Sequence, residues 1–477
     1  MNKVEKYLNI FMRISLLIIF IGMIIGNIFS ISTEIYKNKF VLSNFNIILI
    51  IMYILTILID IFILKSKISK KKKIILIMLF GTVLRVFWLL NINTPIVSDY
   101  LTMYNSAKQL LNGNFYELYG FGYFARFPHL IPSLIYMSFL IKLFPTSHLI
   151  VYKFINLIFS IFSMFLIYII SKKILKTEKG QLICLIIASI FPAFIAYIST
   201  YCTENLVIWT YLIGILLLFN TIKLDEFKDR KNILKENILL LITGIILGIA
   251  NLFRAIAIVI LIAVCVYIIF FKKNRRIINC LCVVLGYIFI TCLVSSILLF
   301  TGIIERPLYD AVEPSITSIL KGTNIESNGM WNEQDGKYIN DNLKNENFEN
   351  ECKEYVVNRI KETPIIKIIT LLIKKIGIMW GNGSNGGVYW ATLGTNYNLH
   401  IIDVFYNIFN IGILTFSIIG LKNNENKLIN FMYILIGGYI LVFSIIEIQP
   451  RYSFIVSYLF IWFSSLGIEK VIEKRRE

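Results

Sequence analysis

This sequence has too little polar surface to wrap a soluble fold. Of its 477 residues, 57% are hydrophobic and only 16% charged, and the mean hydropathy is +0.73. A water-soluble domain of that make-up would have no polar coat, which leaves a polytopic membrane protein. Other absences narrow the reading. There are seven cysteines but no CxxC pair and no metal-type spacing; all except Cys352 fall in or beside apolar runs, where cysteine is a small hydrophobe. No disulfide framework is expected. No convincing internal repeat is present, and no glycine-rich strand-to-helix turn of the kind that cradles a nucleotide. The first apolar run, about Leu8 to Phe29, is too long for a signal-peptide core and lacks a small-residue cleavage site, which predicts a retained anchor.

Acidic residues are outnumbered, 29 against 47 basic ones, for a net charge of +18. An excess of that size suits nucleic acid, but its distribution argues against that partner. The cations cluster in short loops between apolar runs: "KSKISKKKK" from Lys65, "KKILKTEKG" from Lys172, "KKNRR" from Lys272 and the tail "EKVIEKRRE". This is the positive-inside pattern, which also suits an anionic inner leaflet.

Runs of roughly 20 apolar residues predict spans near 8–30, 46–64, 74–92, 149–171, 181–201, 204–222, 237–253, 255–271, 277–300, 401–421, 428–448 and 452–468. With the N-terminus inside, the lysine-rich loops after 64, 171, 222, 271 and 468 all face the cytoplasm, as does the C-terminus. "HLIPSLIYMSFLIKLFP", 129–145, is apolar but short and interrupted by Pro132. If it crossed, the charge rule would break, so it reads as a re-entrant or juxtamembrane element on the outer side. The expected fold is therefore an all-α polytopic membrane protein of about 12 transmembrane helices, with that outer element and a small mixed outer region. Residues 1–73 hold two leading spans. Residues 74–300 form a membrane core with a first outer loop at 93–148. Residues 301–400 form the outer region, and 401–477 the last spans and basic tail. Within the outer region, 365–380 carries interleaved Lys367, Lys374 and Lys375 and reads as a helix lying in the interface plane. "GNGSNGGVYW", 381–390, reads as a flexible linker.

Several polar residues fall at one depth, on the outer side of this layout. Asp99 follows an apolar span and precedes a helical repeat of Tyr100, Met103, Tyr104, Ala107 and Leu111 that stops at Gly113. Ser98 or Asp99 capping that helix is the bland explanation. Arg126 and His129 lie in the same loop, within "YFARFPHLIPS"; an interfacial arginine that snorkels to lipid phosphate is the alternative for Arg126. Glu204, in "STYCTENLVIW", sits at a turn between spans, where a carboxylate is costly unless functional, or where Thr203 simply caps the next helix. Arg254 occupies another tight turn, and Arg451 with Tyr452, in "EIQPRYSF", opens the last span beside Glu447, a candidate structural partner. One acid and several cations at one face suit a substrate with an anionic group at the interface and its tail in the bilayer. An arginine would hold a lipid phosphate by charge-assisted hydrogen bonds, and Asp99 would take a proton from an incoming hydroxyl.

These stretches, "SDYLTMYNSAKQLLNG", "ARFPHLIPSLIYMSFLIKLFP", "CTENL", "GIILGIANLFRAIAIV" and "QPRYSF", resemble in their order the GT-C superfamily of polyprenyl-phosphate-sugar glycosyltransferases, especially the branch with protein O-mannosyltransferases and the lipid A aminoarabinose transferase. The likeness covers roughly residues 74–300 and the last fifty. It implies transfer of a hexosyl or pentosyl unit from a polyprenyl-phosphate donor to a hydroxyl on a lipid, glycan or protein acceptor, at the outer face of the cell membrane and with inversion. By position, Asp99 matches the first-loop carboxylate that acts as base or metal contact, and Arg451 the late arginine that meets the lipid phosphate. Tyr452, Arg254 and Arg126 are candidate donor contacts, and Glu204 and His129 further site residues. Many relatives carry two adjacent acids where this chain has Ser98 and Asp99; a divalent metal, if used, would have Asp99 alone to meet it. Two rivals share the bilayer setting. A transporter or flippase of lipid-linked sugars should show repeats and midplane polar groups. A polysaccharide polymerase or ligase should show an outer loop rich in arginine or histidine, whereas here Arg306 and Arg359 are that region's only arginines.

Overall fold

The computed structural model describes residues 3–37, 43–224, 229–422 and 426–474. The loop residues 225–228 and the last three residues of the basic tail lie outside that set. The described residues form helices and loops with no strand. Among the described residues, nine helices are long and apolar enough to cross a membrane, and up to twelve crossings are available if each of three bent helix pairs counts as one. The all-α polytopic architecture read from the sequence is therefore the observed one.

Two of the three bent pairs break at a proline, Pro192 and Pro128. The expected span 181–201 is two pieces, Glu178–Ile190 and Pro192–Ser199, bent by 46°. Pro192 has no N–H for the carbonyl four residues back. Arg85, fully buried in Lys70–Asn91, supplies donors instead, to the carbonyls of Ala188 at 3.1 Å and Ser189 at 2.6 Å. A guanidinium inside an apolar bundle is tolerated because it completes a broken helix end. The last span starts as a 3₁₀ turn, Pro450–Val456, and bends by 59° into Tyr458–Lys474. The short segment that failed the crossing count is the second half of a third pair, Tyr116–Arg126 with Pro128–Leu143, folded back by 107°. Span 255–271 is a 15-residue helix, Ala257–Phe271.

Glycines set the close helix crossings. Arg230–Phe253 and Arg276–Phe300 meet at Gly244, Gly248 and Gly286, where a Cβ on Gly244 would lie 2.0 Å from the Val283 carbonyl oxygen. The leading helix Lys3–Lys37 meets Ile365–Trp380 through Gly26 against Gly377 and Gly381. Both are small-xxx-small contacts, which let backbones approach where no hydrophobic drive separates helix from lipid.

That second contact corrects the interfacial reading of 365–380. The N-terminal half does expose Ile365, Ile366 and Ile369 beside Lys367, but Lys375, Met379 and Trp380 are buried. Lys375 is no surface cation: its ammonium donates to the carbonyls of Gly322, Ser444 and Ile446 at 3.0, 3.0 and 2.7 Å. The helix thus plunges at its C-terminal end into the bundle, where the Trp380 ring meets Phe460 and Tyr439.

If backbone contact sets the crossing, Gly244→Ala will lower the thermal unfolding midpoint, through an overpacking cost of roughly 1–3 kcal/mol. Gly437→Ala, in a helix where an added methyl meets no atom within 4 Å, will leave the midpoint unchanged or raise it. Melting both variants in the same detergent checks this; equal loss in both would refute the backbone-contact explanation.

Candidate functional site

Four backbone devices bring the distant polar residues together. Lys70–Asn91 carries the chain to Asn93–Val97, and Ser98 turns it with φ +54°, a strained value for a residue with a Cβ. The helix Asp99–Leu111 then begins with Asp99 in its first turn. Ser98 makes no side-chain cap bond, so the capping explanation fails for it. The kinked pair held by Arg85 delivers the turn 197–204. That turn is pinned by Trp88 Nε1 on the Ser199 hydroxyl at 3.2 Å, Asn156 on the Thr200 carbonyl at 2.8 Å and Asn205 on the Tyr197 carbonyl at 3.0 Å. Glu204 opens the following helix, Glu204–Leu224, from within this locked turn. Thr203 points its hydroxyl to the Phe253 carbonyl at 3.3 Å rather than capping that helix. Arg254 ends the helix Arg230–Phe253, and Arg451 and Tyr452 sit in the 3₁₀ turn that opens the last span.

The fourth device is the glycine-rich stretch 381–390, and here the linker expectation is wrong. Except for half-exposed Asn382 and exposed Tyr389 the whole stretch is buried. Gly383 lies against the Tyr406 backbone, Gly387 against Ala196 and Tyr197, and Gly386 against Pro450 and Arg451. Asn385 donates to the Ser453 hydroxyl at 2.7 Å and accepts from the Tyr197 hydroxyl through its carbonyl at 2.8 Å. Glycine is needed because three backbones converge with no room for side chains. The segment ends at Trp390, whose ring lies 4.6 Å below the Arg451 guanidinium carbon.

All of Asp99, Arg126, His129, Glu204, Arg254, Arg451 and Tyr452 line one cavity of about 1400 Å³. At its centre, Arg451 Nη2 stands 3.4 Å from Asp99 Oδ2; the arginine side chain is 11% exposed and the carboxylate 49%. Arg254 Nη2 stands 3.3 Å from Glu204 Oε1, with Glu204 buried at 1%. The Tyr452 ring is shared by the two cations, each guanidinium carbon 5.5 Å from its centroid. Two arginines and two carboxylates thus balance in charge, but unequally: Glu204 is locked in the wall, while Asp99 is open to the cavity. The structural pair offered for Arg451 does not form. Glu447 meets Lys321 at 3.4 Å instead.

Arg126 reaches the cavity with its charge already engaged. Its Nη2 and Nε donate to Glu313 Oε2 at 2.6 and 3.1 Å, so it neither snorkels nor stands free. Glu313 also accepts from the Thr317 hydroxyl at 2.8 Å and lies 3.7 Å from Lys321. Together with the Val312 N–H on the Ala125 carbonyl, Glu447 N–H on Ser318 and Ile448 N–H on Gly329, this clamps the outer region over the cavity. Sequence reasoning missed Glu313 and also Glu34, His400 and Asp403, which line the cavity too; His400 Nδ1 lies 2.7 Å from Glu34 Oε2. Glu34 sits in the leading helix and His400 at the start of His400–Gly420, and no local pattern marks either.

Asp99 is a poor anchor for a divalent cation in this arrangement. Its hydrogen-bond partner is a guanidinium, and among the described residues no group of three or more His, Cys, Asp or Glu side chains is placed to hold a metal.

Residues 130–300 match the sequence model of the dolichyl-phosphate-mannose-protein mannosyltransferase family, a stretch of less than half of the chain. Glu204 and Arg254 fall inside it; Asp99, Arg126, His129, Arg451 and Tyr452 fall outside. Among solved structures, the archaeal oligosaccharyltransferase AglB of Archaeoglobus fulgidus, in complex with an inhibitory peptide and a dolichol-phosphate, aligns at 11% identity and TM-score 0.49, covering 85% of this chain and 51% of that one. The same organism's oligosaccharyltransferase tethered to an acceptor peptide with the NVT sequon aligns at 13% identity and TM-score 0.47, covering 83% and 49%. The chain spans about half the length of these proteins. Comparison with curated proteins gives no match.

If Glu313 fixes Arg126 and with it the outer region, Glu313→Gln will cost up to about 3 kcal/mol, the scale for stranding one partner of a largely buried pair. It will also speed proteolysis between 301 and 364. An unchanged midpoint and an unchanged digestion pattern would rule the clamp out.

Proposed function

We propose that the chain is a membrane glycosyltransferase that moves a sugar from a polyprenyl-phosphate donor to an acceptor hydroxyl at the outer face, with inversion. The observation that carries this reading is the pairing of Asp99 with Arg451 in a cavity that also holds the Arg254–Glu204 pair. The family match supports glycosyl transfer as the reaction class, and the lysine-rich loops at the opposite ends of the helices support the outer side.

The charge balance suggests how the site turns over. In the free protein the Asp99 carboxylate occupies the guanidinium that a phosphate would take. An arriving lipid phosphate brings at least one full negative charge and bidentate geometry, and Arg451 takes it through charge-assisted hydrogen bonds. Asp99 is then released toward the cavity. The acceptor hydroxyl donates to it, and the oxygen attacks the anomeric carbon from the side opposite the phosphate. The proton passes to Asp99 as the new glycosidic bond forms and the bond from the anomeric carbon to the phosphate oxygen breaks. The leaving phosphate keeps the electron pair, its charge held by Arg451 and, beyond the Tyr452 ring, Arg254. Glu204 keeps Arg254 in place and offsets its repulsion with Arg451. Arg126 acts through Glu313 as an anchor of the cavity roof. Holding both reactants contributes about 7–11 kcal/mol, and fixed cations at the developing phosphate charge add about 3–4 kcal/mol.

The test is transfer from a radiolabelled polyprenyl-phosphate sugar in membranes carrying wild type or Asp99→Asn. Loss of a general base slows the step by about 10²–10⁴, so a fall of that size is expected with protein level unchanged. Transfer at the wild-type rate would show that Asp99 is not the base.

A further inference from the structure

The outer region, 301–400, does more than roof the cavity. Of the six tryptophans, Trp88, Trp380, Trp390 and Trp462 are buried and Trp209 is half-buried, but Trp331 is 59% exposed and lines the cavity. It belongs to the polar outer region rather than to one of the long apolar helices. An indole open to a polar cavity offers a flat apolar face with one N–H donor at its edge. Its edge is steadied on Gly336, where a Cβ would come within 3.5 Å of the ring. Directly after it, the helix Glu333–Asn342 buries Asp335 and Ile339. It turns Glu333, Lys337, Asn340 and Asp341 to the same cavity, at the spacing of one helix face. A second open ring, Tyr389 at 61% exposure, lines the cavity 5.6 Å from Trp390, the ring beneath Arg451.

We infer that this wall is an acceptor subsite for a saccharide, so that the enzyme extends or decorates a glycan. This rests on the cavity being a glycosyl-transfer site and adds the class of acceptor. The chemistry is that of polyol recognition. A flat ring takes the C–H face of a pyranose, while neighbouring carboxylates and an amide offer paired acceptors and donors to vicinal hydroxyls. Open rings beside charged and amide side chains, rather than a strand edge, favour a polyol over an extended peptide, and the hexapeptide arm of the test below decides between them. Tyr389 stands next to the ring that supports Arg451, so in this reading a saccharide that meets both Tyr389 and Trp331, on the same cavity, presents its end toward Asp99.

The test uses purified protein in lipid nanodiscs with no sugar donor. Saturation-transfer NMR is recorded with three neutral tetrasaccharides, cellotetraose, maltotetraose and chitotetraose, and with a serine- and threonine-containing hexapeptide. Undecaprenyl phosphate serves as the donor-site control. The expected result is millimolar binding of at least one tetrasaccharide, weakened tenfold or more by Trp331→Ala and partly kept by Trp331→Tyr, with lipid-phosphate binding unchanged. Tyr389→Ala should weaken the same saccharide. The inference is overturned if no tetrasaccharide binds, if binding survives Trp331→Ala, or if the hexapeptide binds in a Trp331-dependent manner. Because no transfer is measured, failure of Asp99 as the base would leave this result standing, and failure here would leave Asp99 untouched.

Discussion

The arrangement depends on one ion pair that spans 352 residues of sequence. Asp99 opens the helix Asp99–Leu111 and Arg451 sits in the turn that opens the last span, and the fold between them brings these two groups together on a cavity wall. The pair is asymmetric. The guanidinium is sunk against Trp390 and Tyr452, whereas the carboxylate is half open. A desolvated cation with a displaceable counter-ion is a strong anion site, because an incoming phosphate need only exchange partners rather than strip water from the arginine. The second pair, Arg254 with Glu204, lacks that freedom, since its carboxylate is buried in a pinned turn. In the proposed mechanism it sets the field in which the first pair exchanges.

The supporting structure is built from exceptions to ordinary helix rules. Pro192 breaks a span, and Arg85 repairs the break from inside the bundle. The break places Ala196 and Tyr197 where the glycine-rich stretch can lie against them. That stretch in turn places Trp390 under Arg451. Each of these steps uses a costly feature, a buried charge, a kink or a set of glycines, and each leads to the same cavity. Sequences tend to depart from local rules near functional sites, and the convergence of several departures on one place supports reading the cavity as that site.

Much of this was legible in the sequence. Apolar runs and loop charges marked the spans, because hydrophobic length and lysine placement are local properties. The candidate residues were found one by one, because a charge at a span end is conspicuous. What could not be read was how charges pair. Glu447 is four residues from Arg451 and looked like its partner, yet it serves Lys321; Glu313 looked like one acid among many, yet it holds Arg126. The segment 381–390 was misread because composition alone does not separate a floppy linker from a tight convergence of backbones; both want glycine. Lys375 was misread because three carbonyl acceptors, from residues 53 to 71 positions away, made an interior place for it that no periodicity reveals.

The central claim is that Asp99 and a lipid phosphate compete for one guanidinium. The direct measurement is the affinity of undecaprenyl phosphate for four proteins in nanodiscs: wild type, Asp99→Asn, Arg451→Gln and the double variant. Competition predicts tighter binding for Asp99→Asn than for wild type, much weaker binding for Arg451→Gln, and no further effect of Asp99→Asn once Arg451 is gone. Equal effects of Asp99→Asn with and without Arg451, or no effect in either, would contradict the account.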